Sequence, residues 1–210
     1  MSGSLALLEE EWRKDTAGLP RARANMIYES IFFRHNDPQR RYHGLSHLEA
    51  LFALLHKHAP HIAAETPPRL AVWWHDAVYD PQARDNEENS ADLARVQMAE
   101  LGIVRPIIEE TSRLILMTKN HWDGPSAGDG DCFLDADIAI LGAPPAAYDA
   151  YSKQVREEYS WAPDDRYRAG RSAFLNFVLA RSRLFRTDAF ETAYAAQARA
   201  NMGRELSSLA

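Results

Sequence analysis

The sequence predicts an all-α fold. Apolar residues recur at three- and four-residue spacing along most of the chain, strict apolar/polar alternation is hard to find, and prolines fall where the helical patterns begin. A chain of 210 residues with 46% hydrophobic side chains can bury a substantial core, and one compact domain covering 1–210 is the expectation.

Ten helices are expected. The first, near 4–17, stops at Gly18, and the second, 20–35, opens on Pro20. The third, 45–59, carries the second half of RYHGLSHLEAL. The fourth, 67–79, starts at Pro67 and contains the apolar segment LAVWWHDAVY. In the fifth, 86–101, Asp85 or Asn86 can cap the first turn, where Glu87 and Glu88 favour the positive end of the helix dipole. The sixth, 104–120, has Pro106 in its first turn and ends on TKNH; the seventh, 132–142, is FLDADIAILG closed by Gly142. The eighth, 145–160, opens on Pro145, the ninth, 164–181, follows Pro163, and the tenth, 187–208, follows the cluster Arg181, Arg183 and Arg186, read as a solvated turn. The Gly- and Asp-rich stretch 123–131 is expected to be a loop, either a solvated connector or a lid.

Composition excludes several classes of partner. A formal net charge of −6 gives little long-range attraction for nucleic acid or an anionic membrane, although a small anionic substrate needs only local positive charge. Cys132 is the single cysteine, so neither an intramolecular disulfide nor a thiolate zinc site is expected. The acidic and basic residues among the first twenty do not suit a secretory signal, no apolar run is long enough for a membrane span, and the expected compartment is the cytoplasm.

The chemistry gathers at three places. LAVWWHDAVY is apolar nearly all round except for His75 and Asp76, so it is expected to be buried. A carboxylate there needs a cationic partner, either an arginine or a metal. His43 and His47 stand four residues apart and share a helix face, as a metal pair or as solvated or capping histidines. Their spacing is that of the HExxH zinc-protease helix, but Gly44 occupies the position of the glutamate base, which rules that reading out. In FLDADIAILG, Asp135 and Asp137 point to opposite sides, and Asp137 has the wholly apolar face, so it is the better candidate to reach an interior metal.

This order, two histidines at i and i+4, then His-Asp about thirty residues on, then a buried Asp about sixty later, resembles the HD superfamily of phosphohydrolases. The motifs YHGLSH, AVWWHDAVYD, DNEENSA, TKNH and FLDADIAILG are similar to those of bacterial proteins described as predicted metal-dependent HD-superfamily phosphohydrolases, over nearly the whole chain. The resemblance implies an HD-type helical bundle with one divalent ion (Mn, Fe, Co, Ni, Mg or Zn), rather than two, held by His47, His75, Asp76 and Asp137. Asp76 would be the bridge if two ions bind. YHGLSHLEAL also resembles the signature of cyclic-nucleotide phosphodiesterases, which share the HD core. That parallel implies that His43 is the proton donor and His47 the ligand, although Gly44 replaces the usual Asn and a cyclic nucleotide is not the expected substrate.

The expected activity is hydrolysis of a phosphate ester or anhydride of a small molecule, a nucleotide being what the family suggests, with His43 and Asp76 as the catalytic residues. Lys119 and His121 can aim positive charge at a phosphate, or Lys119 can merely complement a helix end. Arg40 and Arg41 immediately precede the histidine pair and are further phosphate candidates, or else solvated arginines at a helix start. The resemblance places Asn86 and Glu87 near the pocket. The alternative is a catalytically silent metal- or nucleotide-binding module.

Overall fold

The computed structural model describes residues 2–64 and 66–209. It is an all-α bundle, with no strand among those residues. The ten helices are α1 (Ser2–Asp15), α2 (Arg21–His35), α3 (Leu45–His58), α4 (Pro67–Trp74), α5 (Asn86–Glu100), α6 (Arg105–Met117), α7 (Gly130–Ile138), α8 (Pro145–Glu158), α9 (Asp164–Leu179) and α10 (Asp188–Leu209). Short 3-10 turns extend α6 (Thr118–Asn120) and α7 (Ala139–Gly142). No helix among the described residues is long and apolar enough to cross a membrane.

α4 is the centre of the bundle and packs on α3, α5, α6 and α7. Its residues from Pro68 to Trp74 are all buried, as expected of a helix apolar on every side. Trp73 and Trp74 lie against Trp12 of α1 with ring centroids 5.1 and 5.8 Å apart. The one charge inside α4, Arg69, meets α1: its Nη2 donates to Glu11 Oε2 at 2.6 Å and its Nε to Asp15 Oδ1 at 2.7 Å. Trp73 Nε1 donates to the other Asp15 oxygen at 3.0 Å, so the buried charges are paired and hydrogen-bonded.

Several elements depart from the expected boundaries. α4 stops at Trp74, not at 79: groups that a continuing helix would pair are engaged elsewhere, the Val72 carbonyl facing His75 Nδ1 and the Val78 N–H donating to Ser90 Oγ. Arg40 Nη1 donates to the Asp76 carbonyl at 2.5 Å and Nη2 to the Ala77 carbonyl at 3.2 Å, while Ser90 Oγ bonds both backbone groups of Val78. His75 and Asp76 therefore lie in a turn at the end of the helix. α7 tightens into a 3-10 turn where Gly142 meets α10, since a Cβ there would stand 2.5 Å from the Tyr194 carbonyl oxygen. Neither Asp85 nor Asn86 caps α5: the Asp85 side chain makes no capping bond, and Asn86 instead pairs with both backbone groups of Asp80 at 3.0 and 2.8 Å.

Of the arginine cluster before α10, Arg183 is exposed as a solvated turn requires, but Arg181 and Arg186 are not. The Arg186 side chain is 12% exposed and donates to the carbonyls of His121, Asp123 and Pro125, which fastens the loop 123–131. Arg181 lies over the rings of Phe177 and Trp122 at 4.5 and 5.1 Å. Asp135, on the side of α7 away from Asp137, accepts from the backbone N–H groups of Arg186 and Thr187 at 2.6 and 2.7 Å, and so anchors the entry to α10.

Candidate metal centre and its acid group

Three elements converge on one point. α3 brings His47 from its first turn, the end of α4 brings His75 and Asp76, and α7 brings Asp137. Gly44 lets this happen: its backbone lies so close to α2 that an added Cβ would sit 3.2 Å from the His35 carbonyl oxygen. His47 Nε2 is 3.1 Å from His75 Nε2 and 2.9 Å from Asp137 Oδ1, and His75 Nε2 is 3.5 Å from the same oxygen. Asp76 Oδ2 stands 3.2 Å from His75 Nε2 and 3.8 Å from His47 Nε2. His47, His75 and Asp137 form a group whose ligand atoms all lie within 4.8 Å of one another; Asp76 is at its edge.

The donor chemistry of this cluster fits a divalent cation. His75 Nδ1 lies 3.1 Å from the Val72 carbonyl, which can only accept, so Nδ1 carries the proton and Nε2 presents a lone pair. That lone pair faces a second imidazole and two carboxylates, an arrangement that is repulsive until positive charge enters it. The same field shifts the pKa values of the group. Burial disfavours a charged His75, yet the carboxylates of Asp76 and Asp137 hold its pKa well above that of an ordinary histidine. Burial likewise opposes ionised Asp137, but His75, His121 and His47 hold its pKa well below the usual range. The centre draws in a cation, whether a proton or a metal. Two imidazoles with carboxylate oxygens suit Mn, Fe, Co, Ni, Mg or Zn.

Beside the cluster stands an acid group that reaches across 115 residues of sequence. His43 Nδ1 is 2.7 Å from Glu158 Oε2, at the end of α8. Glu158 Oε1 accepts from the backbone N–H groups of Arg41, Tyr42 and His43 at 2.7, 2.8 and 3.0 Å, and Tyr79 Oη donates to Oε2 at 2.9 Å. Burial would raise the Glu158 pKa, but the bonds from His43 and the backbone bring it down to about 2. Burial would lower that of His43, and Glu158 with Asp76 reverses this to a net rise. The carboxylate fixes Nδ1 as a donor, which leaves Nε2 to carry the exchangeable proton.

The remaining candidates divide. Lys119, His121, Asn86 and Glu87 line a cavity of about 510 Å³ together with His43, Asp76 and Asp137. His121 spends its Nε2 on Asp137 Oδ2 at 2.7 Å, so it orients a ligand carboxylate. Lys119 is not free: it donates to Glu88 Oε1 at 2.5 Å and to the Arg84 carbonyl at 2.8 Å. Arg41, expected to bind phosphate, lies outside this cavity, with its side chain 56% exposed and 3.8 Å from Glu157. Its backbone N–H, held by Glu158, sets its direction. The loop 123–131 contributes no wall to the cavity and is no lid over it.

Two residues of the site were missed by sequence reasoning, Glu158 and Tyr79, and Arg40, a phosphate candidate from sequence, instead donates to the carbonyls of Asp76 and Ala77. Glu158 carried a signal. Tyr148, Tyr151, Val155 and Glu158 make the buried stripe of α8 at spacings of three, four and three, and a carboxylate on such a stripe needs a partner as much as Asp76 does. Comparison with protein-family models, curated proteins and solved structures finds no match for this chain.

Proposed function

We propose that the protein is a metal-dependent phosphohydrolase acting on a phosphate ester or anhydride of a small molecule. The reading rests on one juxtaposition: a His47–His75–Asp137 group able to hold a metal ion, with Asp76 at its edge, opens into the same cavity as a histidine whose far nitrogen is fixed by a buried carboxylate. His47, His75, Asp137 and Asp76 would hold the ion. A divalent cation bound there supplies positive charge that lowers the pKa of water and polarises a phosphoryl oxygen.

The chain's own residues then have defined tasks. His43 Nε2 gives a proton to the leaving oxygen as its bond to phosphorus breaks. Glu158 keeps the imidazole in the donor tautomer and stabilises its charged form, and Tyr79, whose ring lies 4.4 Å from that of His43 at 31°, supports the ring's position. His121 holds Asp137, while Arg84, Lys119 and Asn86 give the mouth of the cavity its polar lining. A silent binding module would have no use for an imidazole so held beside the cluster.

The test is turnover of phosphate esters in the presence of Mn²⁺, Co²⁺, Ni²⁺ or Mg²⁺, with metal content measured in parallel. Asp137→Ala should lose both metal and turnover. His43→Ala should keep its metal and lose about 100-fold in turnover, the usual worth of a general acid. Full metal occupancy without hydrolysis of any ester would establish the silent module instead.

A further inference from the structure

A second cavity, of about 550 Å³, opens on the other side of His43. Its walls come from His43, α8, the turn after it and α9. Five aromatic residues line it, Tyr151, Tyr159, Trp161, Tyr167 and Phe174, together with Arg166 and Arg171. Trp161 is 49% exposed although it is large and apolar, and its ring lies 6.0 Å from that of Tyr159 at 33°. The volume falls within the roughly 300–1,000 Å³ usual for small-molecule sites. His43 and Tyr159 also line the polar cavity over the His/Asp cluster, so the two spaces adjoin and His43 is a wall common to both.

That position sets which part of a substrate goes where. The leaving oxygen must lie at the group that protonates it, with phosphorus on the metal side and the rest of the leaving alcohol on the other. We propose that the aromatic cleft seats a planar ring system in the leaving group. The substrates would then be phosphate monoesters of ring-bearing alcohols, a conclusion that rests on the phosphohydrolase reading above. In the reaction a water oxygen bonds to phosphorus and the bond to the leaving oxygen breaks. The electron pair goes to that oxygen, which takes the His43 proton; the proton lost by water passes to solvent, from which His43 is recharged. Stacking against aromatic walls tolerates many ring types and depends on planarity.

Gly170 supplies a clean probe. It lies on α9 in the cleft wall, and a Cβ there would meet nothing within 4 Å, so the backbone leaves room for the larger side chain of Gly170→Leu at this wall. The experiment measures kcat/KM for 1-naphthyl phosphate, adenosine 5′-monophosphate and glycerol 2-phosphate, together with the Kd of phosphate-free 1-naphthol. The wild-type protein is compared with Gly170→Leu, Trp161→Ala and Phe177→Ala, each checked for wild-type metal content and helical content. The expected result is a preference for the ring-bearing esters that falls about tenfold in the first two variants, the worth of one stacking contact, with naphthol binding weakened in step. Equal use of all three esters with no naphthol binding would overturn the cleft assignment and leave the phosphohydrolase reading standing. A selectivity loss in Phe177→Ala alone would overturn it too, placing the ring in the neighbouring cavity of about 360 Å³ that Phe177 lines. Cleft-dependent naphthol binding without hydrolysis of any ester would overturn the hydrolase reading and with it the leaving-group role, keeping only an aromatic binding site.

Discussion

At the scale of single residues, the site depends on how protons are assigned to imidazoles. His75 and His43 each have Nδ1 fixed by an acceptor, the Val72 carbonyl in one case and the Glu158 carboxylate in the other. The outcomes differ because of what the far nitrogen meets. His75 Nε2 faces carboxylates and an imidazole, the surroundings of a proposed ligand; His43 lines the open cavity, the place of the proposed acid. Glu158→Gln tests this difference. The amide keeps an oxygen for the backbone N–H groups but removes the charge that favours imidazolium. Turnover that needs protonated His43 is lost as pH rises through its raised pKa, so the alkaline limb of the pH–rate profile should move to lower pH in the variant, with metal content unchanged. A profile that stays in place would separate Glu158 from the acid. Glu158 also leaves a mark on stability. Its folded pKa of about 2 lies below the unfolded value, so its contribution is present above about pH 4.3 and is lost as pH falls toward 2.

At the scale of elements, the end of α4 is the informative place. The apolar periodicity of LAVWWHDAVY continues to Tyr79, and from sequence alone the helix is expected to continue with it. The chain turns at His75, where Ser90 of α5 takes the Val78 N–H that would continue the helix and Arg40 holds the carbonyls of Asp76 and Ala77, pairings that no local pattern can reveal. The sharp turn lets His75 and the adjacent Asp76 both face the cluster. Arg40→Ala should cost about 2 kcal/mol, the worth of charge-assisted bonds to partly buried carbonyls, and should weaken metal binding by releasing this turn. A melting temperature within about a degree of wild type, with unchanged metal affinity, would show that the turn holds itself. α7 teaches the reverse lesson. Asp135 and Asp137 lie two residues apart and point to opposite sides, as helical geometry requires. The structure sends Asp137 to His47 and His121, and Asp135 to the start of α10.

At the scale of the whole molecule, the all-α class and the order of ten helices were legible because helical periodicity and proline placement are local properties. His75, Asp76 and Asp137 were legible for a related reason, since an ionisable group in an apolar helix announces an unmet need for charge. What was not legible came from pairings far apart in the chain: Glu158 with His43, Arg40 with the end of α4, and Arg186 with the loop 123–131. Arg41 and Arg186 show the limit most clearly. Arg41 reads as a phosphate candidate and Arg186 as part of a solvated turn, yet Arg41 stays on the surface and Arg186 is largely covered as the clasp of a loop, and only the packing of distant helices decides between them.

Because α3, the end of α4 and α7 meet at the cluster, a bound cation would join three elements and should stabilise the entire bundle. Calorimetric titration of the metal-free protein with Mn²⁺, followed by thermal melts with and without the ion, tests this most directly. The predicted result is about one ion per chain, a melting temperature raised by an amount set by ligand linkage, about 2.7 kcal/mol at a hundredfold excess over Kd, and loss of both effects in Asp137→Ala. Binding that is absent, or undiminished in Asp137→Ala, would contradict the account.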